Sequence, residues 1–275
     1  VTHVFVDFAG SSVERFESLV KGLRQRFPSL IVAVENVGAW PERRLCMALG
    51  ASYAMGDFLA TIDEQDKSEK LTDSRMVLME MLNLVRNDGD AQALCNVAKR
   101  DPGVAVHLLS MANSSAYGLL TPVTGIDQAI VVLGREVLYR WLAVSIFRTG
   151  ADSARDKALL EVALSRARFL ELAGQSVAAK QQADELFLVG LLSFVDTLLG
   201  LPMKEVVARM SLPPVVSDVL LLSEGPYVSF LLLALSVEKC RAERAAQLAN
   251  TLGMALDELS HFRSAALLWA EEAVQ

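Results

Sequence analysis

Histidine is nearly absent from this 275-residue sequence. His3, His107 and His261 stand in three separate segments, and none has a partner at HExxH or HxxxH spacing, so no histidine-built metal centre is encoded locally. Cysteine is as thin: Cys46, Cys95 and Cys240 are an odd number without CxxC spacing, which excludes a disulfide framework and a zinc ribbon and fits a reducing cytoplasm. Gly-x-Ser-x-Gly, Gly-x-x-x-x-Gly-Lys-Ser/Thr and Gly-x-Gly-x-x-Gly are all missing, which removes the nucleophile elbow, the P-loop and the dinucleotide fingerprint. Basic side chains never gather beyond pairs such as Arg43-Arg44 and Lys99-Arg100. With 26 Lys and Arg against 33 Asp and Glu, a net charge of -7, DNA is a poor ligand. Long apolar runs are lacking too. A membrane-spanning helix needs about 20 apolar residues, whereas Phe187–Met203 is interrupted by Gly190, Asp196, Gly200 and Pro202, and Val219–Val237 by Glu224, Gly225 and Pro226.

What is present is apolar and globular. Hydrophobic residues make up 52% of the chain and charged ones 21%, enough to bury a core and too apolar for intrinsic disorder. The chain opens at Val1 without a basic stretch ahead of an apolar run, which reads as a piece whose natural beginning lies upstream. Its first part alternates strand and helix signals: Val4-Phe5-Val6, a helix after Ser11-Ser12 through Phe16, Val20 and Leu23, the run Leu30–Val34, a helix from about Pro41 to Gly50, and a third strand over Ala51–Ala54. A polar stretch from Thr61 to Lys70 then marks a boundary. Beyond it the pattern is helical throughout, punctuated by Asp101-Pro102-Gly103, Gly134, Pro202, Pro213-Pro214 and Gly225-Pro226. Met76, Met79, Leu82 and Val85 form one apolar face, Asp90–Arg100 another helix, and the closing segment spaces Leu259, Phe262, Ala266, Trp269 and Ala270 helically. The expected fold is therefore mainly α: an all-α domain over residues 68–275 preceded by a partial α/β unit over residues 1–67.

Few residues invite chemistry. Asp7 and Glu35 each end an apolar strand signal, where open parallel sheets place their ligand crevice, so the pair could bind a metal or position a water. Helix capping or solvent exposure is the plainer reading, because no third acid lies nearby in sequence. His107 sits among Val104, Val106, Leu108 and Leu109 and reads as an ordinary helix residue, and Cys46 and Cys95 read as small buried hydrophobes.

Three stretches carry a family resemblance. Val34-Glu35-Asn36-Val37, followed by Leu49-Gly50-Ala51-Ser52-Tyr53-Ala54-Met55-Gly56, resembles the last third of an EAL-type cyclic di-GMP phosphodiesterase barrel, with Val4–Asp7 matching its Lys-Ile-Asp strand. Phe5 replaces the lysine, Asn36 a glycine, Gly38 a glutamate and Met55 a glutamine, so Asp7 and Glu35 are vestigial positions of that site. Val97–Val104, Leu108–Gly118 and Ile126–Gly134 resemble an HDOD domain, the HD-related output domain of bacterial signalling proteins. In Val189–Asp196 this resemblance sets Ser193 and Phe194 where the metal-binding His-Asp pair of HD phosphohydrolases stands. Neither side chain can replace that pair in holding a water-activating metal.

The resemblance as a whole is to two-domain EAL-HDOD proteins and implies a catalytically inactive, cytoplasmic regulatory module of bacterial signal transduction, acting through protein partners, with no metal or cofactor. A non-hydrolysing cyclic di-GMP receptor, or residual phosphodiesterase activity in the full-length protein, is the alternative. For the partner surface, the segment Asn113–Trp141 offers Tyr117, Tyr139, Arg140 and Trp141 near the loop Gly118–Gly125. Tyr117 and Leu119 are its expected exposed anchors, while Trp141 belongs with the core.

Overall fold

A computed structural model describes residues 2–10, 12–66, 71–117, 119, 121–149 and 154–274. The chain forms two compact units, Val1–Lys67 and Ser68–Gln275. Ser11, part of the expected helix start, and Lys67–Lys70, the end of the expected boundary stretch, lie outside the described residues.

In the first unit β1 (His3–Asp7), α1 (Val13–Arg26), β2 (Ile31–Glu35), α2 (Trp40–Ala48) and β3 (Tyr53–Ala54) build a three-stranded parallel sheet in the order β1-β2-β3. Ser12 caps α1 by accepting from the Arg15 N–H at 3.3 Å, which satisfies one of the otherwise orphaned first-turn donors. The third strand is shorter than the sequence suggests. Only Tyr53 and Ala54 pair with Ala33 and Val34, because Ala51 turns into the core and its N–H bonds back to the Cys46 carbonyl at the end of α2.

Strand alternation puts Val6, Val32 and Val34 on the face that meets Phe16 and Val20 of α1 and Trp40 and Cys46 of α2. On the opposite face Phe5, Ala33 and Tyr53 line up across the sheet, with Phe5 61% and Tyr53 60% exposed. Arg24 secures the other end of the sheet through the Gly50 and Leu30 carbonyls and the Ser52 hydroxyl, at 2.7, 2.8 and 2.8 Å. The sheet is open. The expected barrel remnant is, in the structure, three strands and two helices on one face of the sheet.

Among the described residues the second unit is entirely helical: α3 (Asp73–Arg86), α4 (Ala91–Ala98), α5 (Pro102–Ala112), α6 (Ile126–Arg148), α7 (Ala154–Val177), α8 (Lys180–Leu192), α9 (Val195–Leu199), α10 (Met203–Arg209), α11 (Pro214–Leu222), α12 (Val228–Glu238), α13 (Ala242–Leu252) and α14 (Leu256–Val274), with short 3-10 turns at Asp57–Ala60 in the first unit and Ser115–Tyr117 here. Helix α7 is the central element, packed against α8, α12 and α14. Gly174 and Gly190 allow the closest approach: a Cβ on Gly190 would stand 2.6 Å from the Ala167 Cα, so a larger residue would push α7 and α8 apart.

One expectation needs correction: Met76 is 42% exposed and lies off the α3 core stripe, which runs instead through Val77, Leu78, Met81, Leu82 and Val85. The expected break at Gly134 is present, since φ 71° and ψ 165° there divide α6 into two helical segments. No described helix is long and apolar enough to cross a membrane.

Candidate functional site

At the carboxyl ends of the parallel strands, Asp7 and Glu35 stand directly opposite one another in register. Both are exposed. Neither caps a helix: the Asp7 carboxylate accepts from the Ala9 N–H at 3.1 Å and from the Asn36 amide at 2.9 Å, which holds the turn leaving β1. Asn36 adopts φ 59°, a left-handed conformation that asparagine tolerates better than most residues, so it serves where the resembled motif carries glycine. Gly56 is more constrained still. At φ 151° its missing Cβ would lie 2.2 Å from the Val37 carbonyl oxygen. The strand ends thus bring two carboxylates together, one already bonded to an amide. No group of three His, Cys, Asp or Glu side chains suited to a metal occurs among the described residues.

The segment 193–194 joins α8 to α9 and is organised by a residue absent from the sequence motifs. Arg166 projects from α7 and is only 8% exposed. Its Nη1 donates to the Ser193 hydroxyl at 2.9 Å, and its guanidinium lies over the Phe194 ring at 4.0 Å. Its Nε and Nη2 donate to the two carboxylate oxygens of Glu238, at 2.7 and 2.6 Å. This is a bidentate pair. Ser193 in turn donates to the Gly190 carbonyl at 2.6 Å, so its hydroxyl is spent in both directions. One guanidinium therefore contacts both dyad positions and a carboxylate at the end of α12.

This donor set does not suit the divalent metals of a hydrolytic HD centre. It offers one hydroxyl, a phenyl ring and a carboxylate whose two oxygens are both taken, all around a permanent positive charge. A second cation about 4 Å from that charge is repelled by roughly 4 kcal/mol per unit of its own charge at an effective dielectric constant near 20. Asp196, two residues beyond Phe194, accepts from the Thr197 N–H at 2.6 Å and its hydroxyl at 3.3 Å; burial outweighs these bonds and pushes its carboxyl up.

The expected partner anchors fall on the turn after α5. Tyr117 ends the 3-10 turn and is half-buried, Leu119 is 39% exposed, and Gly118 and Leu120 lie outside the described residues. Asn113 follows the last residue of α5 at φ -88°. Its side chain bridges the loop, donating to the Val123 carbonyl at 2.8 Å and accepting from the Val123 N–H at 2.7 Å. Trp141 is half-buried on α6. His3, His107 and His261 are exposed and separate, and Cys46 and Cys95 are buried.

Arg166 and Glu238 escape a motif search because they are 72 residues apart. A signal does exist for Arg166: it continues the Leu159-Ala163 spacing toward Leu170, so a charge stands on the buried stripe of the helix.

Compared with known proteins, residues 71–204 match the HDOD domain. No EAL-domain match accompanies it, so the barrel resemblance of residues 1–67 rests on its motifs alone. Cyclic di-GMP phosphodiesterase CdgJ of Vibrio cholerae is 23% identical over 255 residues, covering 92% of this chain and 57% of that protein. The uncharacterised protein YuxH of Bacillus subtilis is 28% identical over 178 residues, covering 63% of this chain and 43% of that protein. The chain spans about half the length of these curated relatives. No solved structure matches it significantly. An HDOD domain together with distant similarity to a cyclic di-GMP phosphodiesterase points to a role in signalling.

Proposed function

We propose that this chain is a non-hydrolytic regulatory module of a bacterial signalling protein, working in the cytoplasm through protein partners rather than through turnover of a substrate. The observation that carries the reading is Arg166, a fixed cation that contacts both dyad positions, bonded to Ser193 and Glu238 and stacked on Phe194. A site satisfied internally in this way has no ligand position left for a catalytic metal and no base with which to activate water. In this reading residues 1–67 are a degenerate piece of an EAL-type barrel whose Asp7 and Glu35 are vestigial, and residues 68–275 form the interacting unit. The acidic excess in both parts, 7 basic and 9 acidic residues in the first and 19 and 24 in the second, favours a protein partner over DNA.

A second reading is favoured by the similarity to CdgJ, which extends over 92% of this chain: the whole protein binds cyclic di-GMP without cleaving it, or retains weak phosphodiesterase activity. The two readings separate in one experiment. The purified protein is incubated with manganese or magnesium and cyclic di-GMP, and product formation, nucleotide binding and metal content are measured together. No linear dinucleotide, no stoichiometric metal and no nucleotide binding are expected. Turnover overturns the non-hydrolytic reading, and binding without turnover replaces the adaptor by a receptor.

A further inference from the structure

Helix α14 turns Leu259, Phe262, Ala266 and Ala270 inward and packs on α7. Its outer side carries two adjacent rows at four-residue spacing, Arg263-Leu267-Glu271 and Ser264-Leu268-Glu272, and all six residues are exposed. Residues four apart stand above one another on a helix, so each row runs along its axis. Leu267 is 48% and Leu268 63% exposed. On the flank of the first row, Arg263 and Leu267 border a groove whose other walls include Val162 and Phe169 of α7 and Ala234 and Val237 of α12. The apolar surface thus continues beyond the helix itself.

The charges on these rows are segregated and unmatched. Arg263 meets no carboxylate among the described residues; its guanidinium reaches the Cys240 sulfur, Nη1 to Sγ at 3.7 Å. Two turns further on, Glu271 and Glu272 have no cation beside them among the described residues. Within one helix the two ends cannot meet, because eight residues span about 12 Å. The outer strip therefore reads basic, apolar, acidic along the chain, and reads acidic, apolar, basic when turned end for end. It is its own complement, as a two-fold interface requires. A parallel arrangement would set Arg263 on Arg263 and Glu271 on Glu271.

We propose that this chain pairs with a second copy of itself through α14, the two helices antiparallel about a two-fold axis at Leu267. Residue 263 of one copy then lies level with residue 271 of the other. Arg263 faces the partner's Glu271 at both ends of the contact, and the exposed His261 falls close to the partner's Glu272. Leu267 and Leu268 of both copies form the apolar centre, with the short Ser264 side chain leaving room for the partner's Leu268. This surface goes beyond the regulatory reading and does not depend on it, since a hydrolytic protein could pair in the same way.

Sedimentation velocity of the intact chain over a concentration series, at low and high salt, tests the proposal. A reversible equilibrium between monomer and dimer is expected, loosened by salt because the ion pairs stand in solvent. Arg263→Glu or Glu271→Arg alone creates two like-charged pairs by symmetry and should weaken the dimer about tenfold. The double variant Arg263→Glu/Glu271→Arg exchanges the charges and should restore the wild-type dissociation constant. That rescue reports contact between copies, because the two side chains are out of reach of one another in a single helix. Leu268→Ser should also weaken the dimer about tenfold while leaving the melting temperature of the dilute protein unchanged. In a Cys240→Ser background, Leu267→Cys should crosslink to a disulfide dimer under mild oxidation with copper phenanthroline, whereas Val131→Cys, on the exposed side of α6, should not. A monomer throughout the series overturns the proposal. So does a dimer that neither reversal weakens, a double variant that stays as weak as the singles, or crosslinking no greater at position 267 than at 131.

Discussion

At the strand ends of residues 1–67 the carboxylates of Asp7 and Glu35 stand exposed and side by side, whereas in the helical unit three buried charges are held inside: Arg75 donates to the Ile146 carbonyl, Arg166 to Glu238 and Ser193, and Glu171 accepts from Arg140 and Arg168. The exposed acids are hydrated and bear little on stability. Each buried charge has surrendered its hydration and must be matched inside the protein, which ties it to one arrangement of the helices. The same contrast runs through the apolar groups. The sheet of the first unit leaves Phe5 and Tyr53 bare on one face, although parallel sheets are ordinarily covered on both. The helical unit wraps α7 with α8, α12 and α14. One region leaves a sheet face uncovered; the other surrounds its central helix, while Val131, Leu222 and Leu268 stay exposed on its surface.

Cutting the chain at the boundary gives the largest effect. Residues 1–67 expressed alone are expected to show no cooperative thermal transition, because a sheet of three strands with one bare face in so short a chain buries too little surface to offset its conformational entropy. Residues 68–275 alone should melt cooperatively with full helical circular dichroism. A sharp transition in the short fragment would mean that its covered face suffices and that the contrast in self-sufficiency is false.

Glycine substitutions probe each region from within. Gly56→Ala forces a left-handed φ of 151° and a contact of 2.2 Å with the Val37 carbonyl oxygen, and should cost about 3 kcal/mol, observed as an early loss of the first unit in urea. Gly190→Ala meets the Ala167 backbone at 2.6 Å and should shift the helical unit's transition instead. If each change moved only the other region's transition, the two units would not be independent in unfolding.

Arg166→Ala comes next. It strips Glu238 and Ser193 of their donor and Phe194 of its stacked cation, and removing one member of a buried pair costs about 3–5 kcal/mol. Glu238 retains 34% side-chain exposure, which lowers the expectation to about 2–3 kcal/mol after solvent screening. Arg166→Lys should recover part of this but not the bidentate geometry. Urea unfolding of these variants, crossed with Glu238→Gln, measures the coupling; additive losses would show that the pair contributes nothing as a pair.

The course of the chain was legible in the sequence wherever a local rule dominates. Ser12, Asp90 and Asp101 each accept from first-turn N–H groups of the helix that follows, and the apolar runs Val4–Val6 and Leu30–Val34 lie within or across β1 and β2. Gly134 divides α6 where its punctuation stands. Non-local pairings were hidden. The Arg166–Glu238 pair depends on how α7 and α12 pack, and no spacing along the chain encodes it. Met76 misled for a related reason: its spacing from Met79 fits a helical stripe, but the neighbouring stripe through Val77 and Met81 is the one that is covered.

The smallest effect has opposite outcomes in the two regions. Asp7 is exposed and bonded to the Asn36 amide, so Asp7→Asn should change stability by less than about 0.5 kcal/mol. Asp196 is half-buried, and burial raises its folded pKa above the ordinary carboxylate value despite the Thr197 bonds. A group raised in this way adds stability only while protonated: its contribution is present below the ordinary carboxylate range and is lost as pH rises through the folded value. Glu171 has the reverse sign. Its desolvation would raise it, but the hydrogen bonds and charges of Arg140 and Arg168 prevail and hold it low, so its contribution is present above the ordinary range and fades as pH falls through the depressed value. Asp196→Asn keeps an oxygen to accept from Thr197 and removes the buried charge, and should therefore stabilise the protein at pH 7 by up to about 1 kcal/mol, with the gain shrinking toward pH 3.5. Urea titrations of the two variants at both pH values check this. A loss at pH 7 for Asp196→Asn would show that the carboxylate is matched by a favourable charge, and would place it with Glu171 rather than against it.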